Sequence, residues 1–170
     1  MSFNGFIQCE SEKDKGAKFH VFLPAVIEEK PDEPVYSPAE LQGHGETVLI
    51  VDDEEAVRDT TQKLLNQNGY KTLKAVDGVD AVSVYGRNQD QIKVVVTDLK
   101  MPNMDGISLV RILRNMNPDL PILVVSGHPD EHDLEVLEPC SSIHLLEKPH
   151  KSQDLLHWVH QLLHQNEVQA

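Results

Sequence analysis

The stretch that decides the fold covers residues 94–106 and reads VVVTDLKMPNMDG. Three β-branched apolar residues in a row are typical of a strand that is buried on both faces of a parallel sheet. The run ends at Asp98, and Pro102 and Gly106 after it predict a loop that leads into a helix. In open α/β sheets, ligands bind at the carboxyl edge of the strands. Asp98 is therefore a candidate functional residue at that edge.

Similar apolar runs recur along the chain, at residues 48–51, 122–125 and 145–146. Residues 70–75 alternate in polarity and predict a weaker strand towards an edge of the sheet. Helical segments alternate with the strands, over residues 54–67, 78–87, 106–116, 130–137 and 152–165. Five such units predict an α/β fold, with a doubly wound, five-stranded parallel sheet and right-handed crossovers.

Polar residues follow the other apolar runs. Asp52 and Asp53 come after the run at 48–51, Ser126 follows the run at 122–125, and Lys148 lies just beyond the run at 145–146. Carboxylates gathered at one edge need a positive partner, and Mg²⁺ with phosphoryl oxygens would satisfy them. The simpler alternative is that the acid pair starts a helix as an N-cap, with Ser126 an ordinary turn residue and Lys148 an ordinary surface lysine.

Taken together, the chain over roughly residues 46–166 resembles the response regulator receiver domain of bacterial two-component signalling. The motifs that carry the resemblance are Val51-Asp52-Asp53, Asp98 with Met101-Pro102 and Asp105-Gly106, Ser126-Gly127, and Lys148-Pro149. The resemblance implies a flavodoxin-like (βα)5 fold with strand order 2-1-3-4-5, which the apolar pattern alone does not fix.

The resemblance also implies a role for each matching residue. Asp98 would accept a phosphoryl group from a phosphohistidine of a sensor histidine kinase or a histidine phosphotransfer protein. Mg²⁺ would be bound by Asp53, by Asp98 and by the Lys100 backbone carbonyl, and by Asp52 mainly through a water. Ser126 would donate a hydrogen bond to a phosphoryl oxygen, and Lys148 would pair with the phosphoryl group or with Asp98.

Three positions depart from the family pattern or tune it. Leu145 stands three residues before the lysine, where the family usually has a Tyr or Phe that turns inward on activation. This change leaves the phosphorylation chemistry in place and removes the aromatic side chain on which the family's usual output signal depends. Lys100 and His128, each two positions beyond a site residue, are expected to flank the mouth of the site, where the family tunes hydrolysis.

The first 45 residues have a different character. Residues 5–12 and 16–24 predict a β-hairpin that resembles the last two strands of the ATP-binding domain of sensor histidine kinases. A tail without structure is the alternative. Residues 25–45 predict an acidic, proline-containing linker, and residues 167–170 predict a short tail.

Taken as a whole, the chain looks like the C-terminal end of a hybrid sensor kinase, as a fragment or a natural short protein. The kinase boxes that grip ATP would lie upstream, so we expect no ATP binding and no enzyme activity from this chain.

Composition limits the partners. A net charge of -13 and a pI of about 5.0 argue against a nucleic-acid surface. No run is long enough to span a membrane, and Cys9 and Cys140 are isolated, which favours a cytoplasmic protein with reduced thiols. His157, His160 and His164 share one helix face at a spacing that zinc or nickel could use, but no cysteine or acid completes the set, and a solvated helix face is the alternative. The oligomeric state is open, with a homodimer as one alternative.

Two other functions compete with the phosphorelay receiver. A phosphatase of the haloacid dehalogenase type also forms an aspartyl phosphate, but it would need an Asp-x-Asp pattern after the first strand, where this chain has Asp52-Asp53-Glu54. A phosphorylation-independent interaction module of receiver shape is favoured by Leu145 and opposed by the full set of acids, serine and lysine.

Overall fold

The computed structural model describes residues 5–12, 16–23, 41–127, 129–137 and 142–164. The chain divides into two compact units, Met1–Val35 and Tyr36–Ala170. In the first unit, β1 (Phe6–Glu12) and β2 (Gly16–Phe22) form an antiparallel hairpin. Most of the predicted linker, the tail, His128 and Cys140 lie outside the described residues.

The second unit is a parallel sheet with helices between its strands. Its strands are β3 (Thr47–Val51), β4 (Lys71–Ala75), β5 (Ile92–Asp98), β6 (Ile122–Ser126) and β7 (Ile143–Glu147). Its helices are α1 (Glu55–Gln67), α2 (Gly78–Arg87), α3 (Gly106–Met116), α4 (Glu131–Leu137) and α5 (Ser152–His164). The strand order is β4-β3-β5-β6-β7 with every pair parallel, which confirms the predicted fold and the edge position of β4.

Two apolar clusters cover the two faces of the sheet, as burial of both faces of a parallel sheet requires. On one face Leu49, Val95 and Val124 pack with α2, α3 and α4. On the other face Ile50, Val96 and Leu123 pack with α1 and α5. The predicted stripe on α5 supplies buried Leu155, Leu156, Val159 and Leu162, with Leu163 partly buried. No helix of the described ranges has the length and apolar character of a membrane span.

Aspartates cap the helices that enter from the carboxyl edge. Asp77 accepts a hydrogen bond from the N–H of Asp80 at 2.8 Å, and Asp105 accepts one from the N–H of Ser108 at 2.8 Å. These caps place the starts of α2 and α3 where the sequence predicted them. At α1 the capping residue is Glu54, which makes no side-chain cap, so neither Asp52 nor Asp53 serves as the N-cap.

The described end of the predicted linker packs on the receiver unit. Leu41 is 5% exposed and belongs to the apolar cluster under α1 and α5. Gly43 and Gly45 donate backbone hydrogen bonds to the carbonyls of Asn68 and Gly69, at 2.8 and 3.0 Å. Ordered packing therefore extends upstream of the boundary at residue 46 that the sequence suggested.

Candidate functional site

Three aspartates lie together at the carboxyl ends of β3 and β5. One carboxylate oxygen each from Asp52, Asp53 and Asp98 lies within 4.8 Å of the others. Asp52 is buried, Asp98 has intermediate exposure and Asp53 is exposed. A cluster whose carboxylates range from buried to exposed can offer oxygen ligands to Mg²⁺, a hard cation that keeps several of its waters. The donors therefore fit the cation that the family resemblance implies.

Asp52 is the most buried of the three, with 6% of its surface exposed. Burial raises the pKa of Asp52, and the negative charges of Asp98 and Asp53 add to the rise. The N–H of Glu54, which donates to Oδ1 at 2.8 Å, and the ammonium of Lys148 oppose the rise without cancelling it. The site thus carries more negative charge than its own residues neutralise, which favours binding of a cation.

Lys148 follows β7 and places its ammonium beside two of the acids. Its Nζ lies 3.3 Å from Oδ2 of Asp98 and 3.9 Å from Oδ2 of Asp52. The backbone fixes this position, because the N–H of Lys148 donates to the Ser126 carbonyl at 2.7 Å. A charge held here can stabilise a phosphoryl group attached to Asp98.

Ser126 ends β6, between the strand of Asp98 and the strand that leads to Lys148. Val125 is paired with Asp98, and Ser126 is paired with Glu147. The side chain is buried, at 1% exposure, and its Oγ has no hydrogen-bond partner among the described residues. A buried polar group without a partner costs about 1–3 kcal/mol, so it points to an additional partner in the functioning site.

The loop between β5 and α3 is held tightly beneath Asp98. The N–H of Gly106 donates to the carbonyl of Leu99 at 2.8 Å, and a Cβ on Gly106 would collide with the backbone of Asp98 and Leu99. Asn103 adopts a φ of 62°, and its Nδ2 donates to Oδ2 of Asp77 at 2.6 Å. The loop is thereby tied to the start of α2.

Two supporting residues could not be found from the sequence. Arg58, 9% exposed, donates from Nη1 to the backbone carbonyl of Asp52. Thr97, fully buried, donates from Oγ1 to the backbone carbonyl of Asp98 at 2.9 Å. Both side chains position the backbone that carries the acids. An arginine in the first turns of a helix is ordinarily exposed, and so its sequence position gives no signal of this role.

Two cavities adjoin the cluster. The first, of about 410 Å³, lies between α1 and α5 and is lined at one end by Asp52, Asp98 and Lys148. The second is lined by Asp53 together with Lys100, which is exposed. Ligation of a metal by the Lys100 carbonyl stays a prediction, and His128 lies outside the described residues.

Sequence comparisons point to the same family as the motifs. A family model described as the response regulator receiver domain matches residues 48–160. The sensor kinase CckA of Brucella abortus is 36% identical over 168 residues, which cover 94% of this chain and 18% of CckA. The autoinducer 1 sensor kinase/phosphatase LuxN of Vibrio campbellii is 28% identical over 184 residues, covering 97% of this chain and 21% of LuxN. The chain thus spans about a fifth of the length of these relatives.

Solved structures share the fold of the second unit. The receiver domain of the hybrid histidine kinase CckA is 30% identical and superposes with a TM-score of 0.59, over 69% of this chain and 98% of that one. A response regulator receiver domain protein from Clostridium thermocellum is 25% identical with a TM-score of 0.66, over 73% of this chain and 98% of that one. These similarities agree with the strand order described above.

Proposed function

Since the chain belongs to the family of response regulator receiver domains, we propose that it accepts a phosphoryl group from a phosphohistidine onto Asp98. In this reaction a carboxylate oxygen of Asp98 attacks phosphorus. The bond between phosphorus and the imidazole nitrogen breaks, its electron pair stays on that nitrogen, and an acyl phosphate forms on the chain. Conformational signalling and slow hydrolysis of the acyl phosphate complete the proposed cycle.

The observation that carries this proposal is the convergence of unlike groups on one carboxylate. Asp98 has an ammonium 3.3 Å from its Oδ2, an unpartnered buried hydroxyl on the neighbouring strand and two further acids within 4.8 Å. Phosphoryl transfer depends mainly on positioning and on neutralising charge. We assign the hydrogen bond to a phosphoryl oxygen to Ser126 and the compensating positive charge to Lys148.

We further propose that the acid cluster holds Mg²⁺. Asp53 and Asp98 would be direct ligands, as would the backbone carbonyl of Lys100, and Asp52 would act mainly through a bound water. When bound, the ion would neutralise charge on the acids and on the transferring group. Arg58 and Thr97 would keep the ligands in place through the backbone carbonyls that they bind.

We propose that the natural context is a hybrid sensor kinase, with that kinase or a histidine phosphotransfer protein as the donor. The match to CckA covers 94% of this chain and so extends upstream of the receiver unit. In the hairpin, Ile7 lies opposite Val21 and Cys9 opposite Phe19, which gives one face several exposed apolar side chains. Such a face is expected to be covered in a longer protein. This supports assigning the hairpin to the end of a kinase ATP-binding domain.

The test is the intact mass of the chain before and after incubation with Mg²⁺ and acetyl phosphate. The wild type should gain one phosphoryl group, about 80 Da, and lose it in base, because an acyl phosphate is base-labile. Asp98→Asn should gain nothing. Asp90→Asn, which changes an exposed acid away from the cluster, is the matched control and should gain as much as the wild type.

Removal of Mg²⁺ by a chelator should prevent the gain. If a folded wild type that binds Mg²⁺ gains no mass, the phosphorylation-independent interaction module becomes the better assignment. If Asp98→Asn still gains a base-labile phosphoryl group, the acceptor is another residue.

A further inference from the structure

The loop between β5 and α3 is held at two points, and Lys100 lies between them. At the first point the N–H of Leu99 donates to the carbonyl of Val125 at 3.1 Å. At the second point Asn103 and Met104 meet the turn between β4 and α2. The position of the Lys100 carbonyl therefore depends on both points.

Asn103 is bound through its side chain to the carboxylate that starts α2. Its Nδ2 donates to Oδ2 of Asp77 at 2.6 Å, while Oδ1 of the same carboxylate accepts the N–H of Asp80 at 2.8 Å. The N–H of Asp80 and the amide of Asn103 lower the pKa of Asp77, so this buried carboxylate is ionised at neutral pH and the bond to Asn103 is charge-assisted. One carboxylate thus caps α2 and holds the loop at the same time.

The backbone at Asn103 has a conformation that needs support. Its φ is 62°, and the N–H of Met104 donates across it to the carbonyl of Pro102 at 2.7 Å. Three-residue turns with a positive φ at the central residue are rare and strained. Strained backbone persists where its surroundings hold it in place, and it is concentrated at functional sites. The bond from Asn103 to Asp77 is a contact of this holding kind.

Gly78 brings the start of α2 close to the same turn. Its N–H donates to the carbonyl of Met104 at 3.3 Å, and a Cβ on Gly78 would lie 2.6 to 2.8 Å from atoms of Met104. Movement of the loop away from α2 would therefore break a backbone bond together with the bond between Asn103 and Asp77. The start of α2 and the loop are coupled by two neighbouring contacts.

We propose that Asn103 is a positioning residue for magnesium binding, because its bond to Asp77 holds the loop where the carbonyl of Lys100 can reach the ion. This role rests on the proposed function, since it assumes the ion and the ligands assigned to it above. Groups that hold metal ligands without touching the metal change its affinity by about 10- to 100-fold when they are removed. The start of α2 is thereby part of the machinery that binds Mg²⁺.

The experiment is a calorimetric titration of the full chain with Mg²⁺, for the wild type and for Asn103→Gly. Glycine accepts the positive φ, so the substitution removes the amide and leaves the turn accessible. The dissociation constant should rise by about tenfold. Asn88→Gly is the matched control, because Nδ2 of Asn88 donates to the carbonyl of Val84 at 2.7 Å at the other end of α2. It removes an amide hydrogen bond of the same kind and should leave the Mg²⁺ affinity unchanged.

Two further readouts separate positioning from a loss of stability. In the metal-free protein, the N–H of Met104 should exchange with solvent faster in Asn103→Gly than in the wild type, because the turn that it closes has lost its support. With acetyl phosphate as the donor, Asn103→Gly should gain less phosphoryl group than the wild type at low Mg²⁺ and as much at saturating Mg²⁺. A residue that acts only on global stability would not give this dependence on the ion.

Exchange of the two side chains tests the bond itself. In the double variant Asp77→Asn with Asn103→Asp, donor and acceptor trade places, an oxygen remains to accept the N–H of Asp80, and aspartate tolerates a positive φ as asparagine does. The double variant should bind Mg²⁺ more tightly than the two single changes predict when they are added.

Additive single changes would overturn the role of Asn103, as would an unchanged dissociation constant in Asn103→Gly. An equal loss of affinity in Asn88→Gly would assign the effect to stability and overturn it as well. A wild type that binds no Mg²⁺ would overturn the proposed metal site and this role together. A wild type that binds Mg²⁺ and is phosphorylated, with Asn103→Gly identical to it, would overturn this role alone.

Discussion

At the scale of single residues, Asp52 shows how a binding site is built at the expense of stability. Its carboxylate is buried beside two other acids, and burial raises its pKa. The ammonium of Lys148, at 3.9 Å from Oδ2, is beyond hydrogen-bond distance, so it compensates the buried charge only in part. A carboxylate in such surroundings is better suited to binding a cation than to holding the fold together.

We predict that Asp52→Asn raises the thermal midpoint of the metal-free protein at neutral pH by about 2–4 °C, or roughly 1 kcal/mol. The amide oxygen can still accept the N–H of Glu54, while the buried charge is removed. Because the pKa of Asp52 is raised on folding, its charge destabilises the native state at neutral pH. This effect disappears once the pH falls below its ordinary value of 3.8. Thermal unfolding of the wild type and of Asp52→Asn in a chelator, at neutral pH and below pH 3.8, measures the difference between their midpoints.

Asp59→Asn is the control for this prediction. Hydrogen bonding from Lys74 at 2.8 Å lowers the pKa of Asp59, so its removal should not stabilise the protein at neutral pH. If Asp52→Asn lowered the midpoint instead, Lys148 would have to compensate the buried charge more fully than its distance indicates.

Sequence alone is enough to find residues that lie at or just beyond the end of a strand, such as Asp98, Ser126 and Lys148, because the apolar run shows where the strand ends. It does not reveal Arg58, whose partner is a backbone carbonyl and leaves no spacing pattern.

At the scale of secondary-structure elements, the residue just before a helix determines how well the start of that helix can be predicted. Asp77 and Asp105 cap α2 and α3, and both helices begin at the predicted glycines. At α1 no side chain caps the first turn, and the helix begins at Glu55, one residue later than the sequence suggested. A side-chain cap is a local interaction, so it can be recognised from the sequence alone.

We predict that Gly106→Ala destabilises the protein by about 1–3 kcal/mol and reduces phosphorylation of Asp98. The added methyl group would meet the carbonyl of Asp98 and the Cα of Leu99, which are backbone atoms that cannot move without displacing the site. Chemical denaturation and the mass assay measure the two effects.

Gly86→Ala is the matched control, because Gly86 lies within α2 with only Met116 near its Cβ direction, at 4.0 Å. There the same substitution should stabilise the protein by about 0.5–1 kcal/mol. Equal effects of the two substitutions would contradict the close approach at Gly106.

Side chains alternate between the two faces of β7, and the short apolar run in the sequence does not predict which partners they contact. Ile143 and Leu145 pack on the cluster under α2, α3 and α4, whereas Leu146 packs on the opposite one. His144 stacks on Trp158 of α5, and burial lowers its pKa to about 4. The sequence indicates a strand here, but a single histidine gives no indication that its ring is packed against an aromatic side chain. Leu145 is held by core contacts at the position where the family usually has its mobile aromatic.

At the scale of the whole molecule, the two units differ in how their apolar surface is buried. Every buried member of both apolar clusters lies between Leu41 and Leu162, in the second unit. The hairpin instead exposes Phe6, Ile7, Phe19 and Val21, each by more than half of its surface. A two-stranded hairpin is marginally stable on its own, since it has no second layer on which to pack. Stability should therefore reside in the second unit.

We predict that a chain of residues 36–170 unfolds cooperatively at the same midpoint as the full chain and is phosphorylated to the same extent. Its cores are complete without the hairpin, so deletion removes exposed apolar surface and none of the buried clusters. The fluorescence of a dye that binds apolar surface should fall on deletion, and Phe19→Ser in the full chain should reproduce part of that fall without moving the midpoint. A lower midpoint for the shortened chain would contradict the prediction, because it would mean that residues before 36 contribute to the stability of the receiver unit. The comparison thus separates a domain that is complete in itself from one that depends on the segment preceding it.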